Sequence, residues 1–443
     1  MWSNWSRGQR CSPARVGRPR SPEEVAAAVT SSPRVRVAGA GHSFSDAALT
    51  DGTLLHLGAL DRVLDADPGS GLVRVEAGIG LRRLNAELHA IGLALPNLGD
   101  IDAQSLAGAL ATATHGTGAG LPNLSAQVEA MELVLADGRL RTFTGADGDL
   151  LRAARVGLGA LGVVVAVTLR CVPAFRLHAV DEPVALDRVL AGLDDQVDGS
   201  DHFELWTFPH SDIAITRTNN RTHLPAKPPH RARRWVDEVL LENLALDLLN
   251  RAGRRVPRAI PPLNRLAGAA ASRRVRVEDS FAVFATERRV RFEEMEYAVG
   301  REHAAAALVA CREILAGHPV GFPVELRFTA GDDALLSPAH GRDTAYLAAH
   351  VYTGVAYEAP LREVEAALRG FGGRPHWGKR SWATAADLAG TYPRWATFAA
   401  ARAQLDPGGR FSNAFTERML GSQEAASLAP VGRDRSDELR AGE

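Results

Sequence analysis

His42 follows Gly39-Ala40-Gly41 at the end of a short run, 35–38, that alternates as a strand. Two glycines this close let the backbone adopt positive φ and approach a ligand with no Cβ in the way. Successive N–H groups in such a turn form a nest for an anion. A phosphate cradle ending in a nucleophilic imidazole suits a flavin better than a nicotinamide. The flavin 8α-carbon accepts a bond from a histidine nitrogen, whereas a nicotinamide needs no protein nucleophile. From these residues alone, a plain glycine turn with a surface histidine reads the same way. A second histidine among glycines lies about seventy residues on, in ATATHGTG (111–118), where Thr112, Thr114 and Thr117 add hydroxyls for phosphate or ring oxygens. Far downstream, VELRF places Glu325 and Arg327 at i and i+2, on one face of a strand, with Val324, Leu326 and Phe328 on the other. Taken alone, such a pair is a structural salt bridge or a site. His376 and Lys379 share HWGK, where Gly378 permits a tight turn, and His350 sits in the strand-like AYLAAHVY.

GAGHSF, LPNLGDID (95–102), THGTG (114–118), LGALGVVV (158–165), RFEEMEYAV (291–299), VELRF (324–328), HWGK (376–379) and FSNAF (411–415) together resemble the vanillyl-alcohol-oxidase-type flavoproteins. Within them the sugar-lactone and alditol oxidase branch fits best, over about residues 3–420. The resemblance implies FAD, held by Gly39, Ala40, Gly41, Ser43, Phe44, Gly108, Thr112, Thr114, His115, Gly116, Gly162, Val163, His376 and Asn413, and linked covalently through His42. Gly99 takes the place beside the flavin ring where a small residue admits oxygen. Asp100 stands where alditol oxidases carry a small polar residue, which favours a lactone. Glu325, Arg327, Lys379 and His350 are the implied catalytic residues. A cation such as Lys379 near the flavin N1–C2=O edge stabilises the charge of the reduced ring. RFEEMEYAV is read as packing, with no role given to Glu294 or Glu296.

The implied reaction is FAD-dependent oxidation of an aldono-1,4-lactone (L-gulono-, L-galactono- or D-arabinono-), with oxygen as acceptor and hydrogen peroxide as product. The alternatives are an alditol oxidase acting on xylitol or sorbitol, a lactone dehydrogenase using another acceptor, and a flavin-binding protein without turnover.

The chain has 443 residues, enough for two or three domains, and a net charge of −1, which argues against a nucleic-acid binder. Cys11, Cys171 and Cys311 are scattered, with no metal-ligand spacing, and fit a reducing compartment. The first nineteen residues lack an apolar core for a signal peptide, and no apolar run is long enough to span a bilayer. A cytoplasmic protein is expected. No residue pattern sets an oligomeric state.

The elements that must hold these residues read as α+β. A PCMH-type FAD-binding domain of two small sheets is expected over 1–174, and a substrate (cap) domain with a larger antiparallel sheet over 175–410. A return segment spans 411–420 and a disordered tail 421–443. SPEEVAAAV carries a capping-box pattern, and Asp137-Gly138 marks a hairpin turn. Gly157-Leu158-Gly159-Ala160-Leu161-Gly162 fits GxGxxG, but a helix precedes it and a strand follows, the reverse of a dinucleotide fingerprint. The basic, proline-rich 217–235 reads as a loop, and SWAT (381–384) as a further strand.

Overall fold

The computed structural model describes residues 1–230, 243–286 and 288–423. The fold is α+β. Three short parallel strands come first in space, in the order Arg15–Gly17, Thr53–Leu55, Val35–Val37. Helix Pro22–Thr30 packs its Val25 and Val29 into a small core with Val35, Leu55, Val163 and Phe411. Ser21 caps this helix by accepting the Glu24 N–H at 3.3 Å. Glu24 does not return the bond to Ser21; it accepts the Arg20 N–H at 2.8 Å, so the expected box is displaced by one residue. A five-stranded antiparallel sheet follows, in the order Leu140–Thr144, Val128–Val134, Val163–Arg170, Leu72–Glu76, Val63–Asp67. Its first two strands are the expected hairpin.

The second large element is an eight-stranded antiparallel sheet. Its order is Arg274–Asp279, Arg176–Ala185, Ile213–Thr222, His202–Thr207, Val324–Thr329, Thr344–Tyr352, Phe292–Gly300, Arg374–Pro375. Strand side chains alternate between faces. On one face Met295, Tyr297, Val299, Leu326, Phe328, Leu347 and Val351 are buried with Leu308, Cys311 and Leu315 of helix Ala304–Ala316 and Leu361, Val364 and Leu368 of helix Glu358–Gly370. The opposite face of the same strands carries Glu294, Glu296, Glu325, Arg327 and His350. One sheet thus supplies both a core and a charged wall.

Three expectations change. Residues 217–222 lie in strand Ile213–Thr222, because their backbone pairs with Arg176–Ala185; 223–230 lie outside any strand or helix, and 231–235 outside the described residues. SWAT is not a strand: the Trp382 N–H donates to the Glu365 carboxylate at 3.0 Å instead of to a neighbouring strand. Of the expected tail, 421–423 are described, with the Gly421 carbonyl accepting from Arg402 at 2.9 Å; 424–443 lie outside the described residues.

Candidate active site

Two adjoining cavities share His42, Ser43, Gln104 and Thr112 in their walls. The first measures about 370 Å³ and runs between the small sheets. More than half of its lining residues are glycine or alanine, among them Gly39, Ala40, Gly41, Gly108, Gly159 and Gly162. Gly41 has φ 76°, the left-handed region that favours glycine. A Cβ on Gly39 would overlap the Ser105 hydroxyl. The GxGxxG turn lines this cavity as an irregular loop between helix Asp149–Arg155 and strand Val163–Arg170. Ser45 Oγ and Gln104 Oε1 are buried at its wall with no hydrogen-bond partner among the described residues. A trough of small residues with unspent polar atoms fits a long, polar cofactor such as FAD.

Arg36 holds the trough together, and the sequence reading missed it. Its guanidinium donates to the carbonyls of Ala47 (2.5 Å), Leu158 (2.9 Å), Gly159 (3.0 Å) and Phe411 (2.7 Å). Burial pushes its pKa down to about 10, so it stays charged. Asn413 acts in the same way. Its Nδ2 donates to the carbonyls of Ala47 (3.1 Å) and Leu49 (2.9 Å), and its Oδ1 caps helix Ala414–Leu420. Asn413, Gly116 and Val163 line neither cavity; Val163 is in the small core, and Val164 faces the trough. Thr117 also lies outside both. Its hydroxyl donates to the Phe203 carbonyl and accepts the Phe328 N–H at 3.2 Å, stitching the THGTG loop to the large sheet. The Thr112 hydroxyl is committed to the Gly108 carbonyl at 3.1 Å, and the Thr114 hydroxyl accepts from Gln104 at 3.2 Å.

The second cavity, about 120 Å³, is lined by Gly99, Asp100, Thr114, His115, Arg288, Glu294, Glu296, Glu325, Arg327, His350, His376 and Lys379, among others. Register assembles it. Trp206 pairs with Glu325, Glu325 with Ala348, and Ala348 with Glu296, so one row crosses four strands. The small Ala348 side chain leaves space between the two carboxylates. In neighbouring rows Glu204 lies opposite Arg327, and Glu294 opposite His350. HWGK closes the wall. The His376 N–H donates to the Glu296 carbonyl (2.9 Å) and the Arg380 N–H to that of Glu294 (2.9 Å), while the Gly378 carbonyl accepts the Phe44 N–H (2.7 Å). The loop that carries Lys379 is thereby fastened to the loop that carries His42.

The charges interlock. Arg327 pairs with Glu325, with Glu204 at 2.9 Å and with Asp100 at 3.4 Å; Arg288 pairs with Asp100 at 2.7 Å. Lys379 pairs with Glu294 and lies 3.8 Å from Glu296. His350 Nε2 is 3.5 Å from Glu294, and His115 Nε2 is 3.0 Å from Glu296. Arg288, Arg327 and Lys379 thus meet Asp100, Glu204, Glu294, Glu296 and Glu325, and Arg217 also reaches Glu204 at 3.5 Å. Burial and the neighbouring charges shift the proton affinities. Burial raises the Glu325 pKa, with Arg327 opposing and Asp100 and Glu204 assisting. Burial alone would lower His350, but the Glu294 charge and hydrogen bond, with the Glu325 charge, together outweigh it, and the imidazole holds its proton above the usual range. Lys379 is likewise raised, by Glu294 and Glu296 against burial. His376 is pushed down to about 3 by burial and stays neutral, with Nδ1 accepting the Gly378 N–H at 3.0 Å. Burial, helped by Lys379, lowers His42, which leaves a neutral imidazole able to act as a nucleophile.

The sequence reading brought Glu325, Arg327, His350, His376 and Lys379 to one place, and they do share one cavity. It missed Glu204 and Arg288 and gave no role to Glu294 and Glu296. The last two did carry a signal: they alternate with Met295 and Tyr297 as Glu325 and Arg327 alternate with their core neighbours.

A small-residue trough for a dinucleotide cofactor that meets a buried array of acids and cations defines the class, a flavin-dependent oxidoreductase. Residues 13–144 match the FAD binding domain family, and residues 167–419 match the D-arabinono-1,4-lactone oxidase family. The chain is 46% identical over 427 residues to L-gulono-1,4-lactone dehydrogenase of Mycobacterium tuberculosis, covering 95% of this chain and 99% of that protein. It is 35% identical over 434 residues to L-gulonolactone oxidase of Mus musculus (95% and 98% covered). It is 34% identical over 437 residues to alditol oxidase of a Streptomyces species (94% and 98%). Among solved structures, a solvent-stable cholesterol oxidase shares the fold, with a TM-score of 0.80 at 20% identity over 95% of this chain and 97% of that one. The chain belongs to the D-arabinono-1,4-lactone oxidase family.

Proposed function

We propose that this protein oxidises an aldono-1,4-lactone at C2, with Glu325, Arg327, Lys379 and His350 as the groups that bind and deprotonate the reacting hydroxyl. The observation that carries the reading is their convergence on one cavity whose wall includes His42 and Ser43 of the cofactor trough. FAD, when bound, supplies the two-electron acceptor. Arg327 is locked by three carboxylates and presents a fixed cation. A cation held in place by its surroundings costs no reorganisation as charge develops on the substrate oxygen. Glu325, with its raised proton affinity, is the acceptor for the hydroxyl proton. Lys379 brings a second cation to the cofactor loop, its Nζ 5.3 Å from the centre of the Phe44 ring. Asp100 orients Arg327 and Arg288.

His42 is the proposed covalent attachment point, stacked on Trp5 at 5.6 Å. The expected cofactor roles of Gly116, Val163 and Asn413 become positioning roles, since each supports a wall from behind. We divide the chain into a FAD-binding domain (1–174), a cap domain (175–410) and a return segment (411–420). Phe411 in that segment is tied to Arg36. No helix of the described residues is long and apolar enough to cross a membrane; a cytoplasmic location is proposed.

Oxygen is the proposed acceptor, through the small Gly99. A lactone dehydrogenase is the second reading, favoured by the 46% identity to a protein of that name. Anaerobic flavin bleaching with a panel of 1,4-lactones and alditols, followed by air, tests the reading. Bleaching by a lactone and recolouring with peroxide is expected. Bleaching without recolouring in air would select the dehydrogenase, bleaching only by xylitol or sorbitol an alditol oxidase, and no bleaching at all would overturn the proposal.

A further inference from the structure

The chain as a whole is balanced, with 51 basic and 52 acidic residues. One stretch is not. Residues 248–277 contain eight arginines and no aspartate or glutamate. The same region carries an excess of exposed apolar side chains. Of the eleven large hydrophobic residues exposed on the described surface, six are Leu224, Leu244, Leu248, Val256, Leu266 and Val275.

The two features share faces. On and just before helix Leu246–Arg255 the exposed positions are 244, 248, 251, 252, 254 and 255, which share one side of the helix. On helix Ile260–Ala269 and just beyond it they are 262, 265, 266, 269 and 270, again one side. The two helices touch, with Gly253 against Ile260, and the second packs on strand Ile213–Thr222. Leu248 and Leu266 are 63% and 60% exposed. Arg255, Arg258 and Arg265 have no ion-pair partner among the described residues, whereas Arg251 is held by Asp247 at 2.7 Å. This surface begins at the active site: Leu246, at the start of the first helix, lines the substrate cavity.

We propose that this Leu/Arg face, formed by helices Leu246–Arg255 and Ile260–Ala269, is a peripheral attachment surface for an anionic phospholipid bilayer. Unpaired arginines call for an anionic partner, and exposed leucines call for one that buries hydrocarbon. An anionic leaflet offers both. A nucleic-acid backbone would leave the leucines in water. Attachment here turns the wall of the substrate cavity towards the bilayer without any membrane span.

The test is co-sedimentation of the flavin-loaded full chain with vesicles of phosphatidylcholine alone and with 30% phosphatidylglycerol added (about a third anionic, as a probe of surface charge), at low and high salt. Binding to the anionic vesicles only, lost at high salt, is expected. Arg255→Glu/Arg258→Glu/Arg265→Glu should weaken it at least about tenfold. Leu248→Ser/Leu266→Ser should weaken it severalfold, and both variants should keep the wild-type rate of bleaching in solution. Absence of binding to either vesicle overturns the proposal, as does binding unchanged in either variant. A wild-type dimer that the leucine substitutions dissociate, without vesicle binding, would assign the face to a second copy and overturn it equally.

Discussion

The two cavities are built on opposite principles. The cofactor trough is made of what is missing: side chains are trimmed to hydrogen or methyl, and the walls present backbone. The substrate cavity is made of what is crowded in: buried charges that satisfy one another across four adjacent strands. At Gly39 and Gly78 the trough has no room for an added Cβ, whereas the charged wall tolerates no lost charge. A buried ion pair stripped of one partner leaves an uncompensated charge, at a cost of about 3–5 kcal/mol.

The largest expected effect breaks the charged side. Lys379→Met should slow lactone-driven bleaching by about 10²–10³-fold, with flavin content unchanged, in anaerobic stopped-flow. Next comes an addition to the trough's frame. A Cβ at Gly116 would overlap Asn97 Oδ1 and the Leu98 carbonyl. Gly116→Ala should therefore cost about 1–3 kcal/mol, read as a lower Tm and weaker FAD retention, while the flavin that does load bleaches at the normal rate.

A smaller effect sharpens the electrostatics. Glu294 is the chief charge that raises His350 against burial. Removing it lets burial prevail, so Glu294→Gln should shift the loss of the His350 proton to lower pH. The alkaline limb of the bleaching rate should move down with it. The smallest effect lies away from both cavities. Burial pushes the Asp332 carboxyl from 3.8 up to about 6. The fold thus holds a proton that the unfolded chain releases, and stability falls as pH rises through that window. Asp332→Asn should flatten that part of the Tm–pH curve and raise Tm at neutral pH.

The contrast also explains what could be read from sequence. The trough comes from contiguous motifs, because glycines cluster where the chain turns, and GAGHSF and the glycine-rich turn 157–162 announce themselves. The charged wall was legible only within a strand. Glu325 and Arg327 stand out at i and i+2, but the pairing of Arg327 with Glu204, or of His350 with Glu294, depends on strand order and register, which local pattern does not carry. Arg36 escaped notice because its four carbonyl partners come from three distant loops. Asn413 was placed at the cofactor for its motif, yet its side chain is spent on the loop 46–49 and a helix cap, a commitment that only the packed structure displays.

The central claim is that binding of the cofactor and activation of the substrate hydroxyl reside in separate, adjoining walls. The most direct test loads the Arg327→Met protein with FAD and follows both the flavin spectrum and anaerobic bleaching by a 1,4-lactone. A normal spectrum with bleaching slowed by about a hundredfold or more is the predicted result. Bleaching at the wild-type rate would contradict the assignment of chemistry to the charged wall, and loss of the flavin itself would contradict the separation.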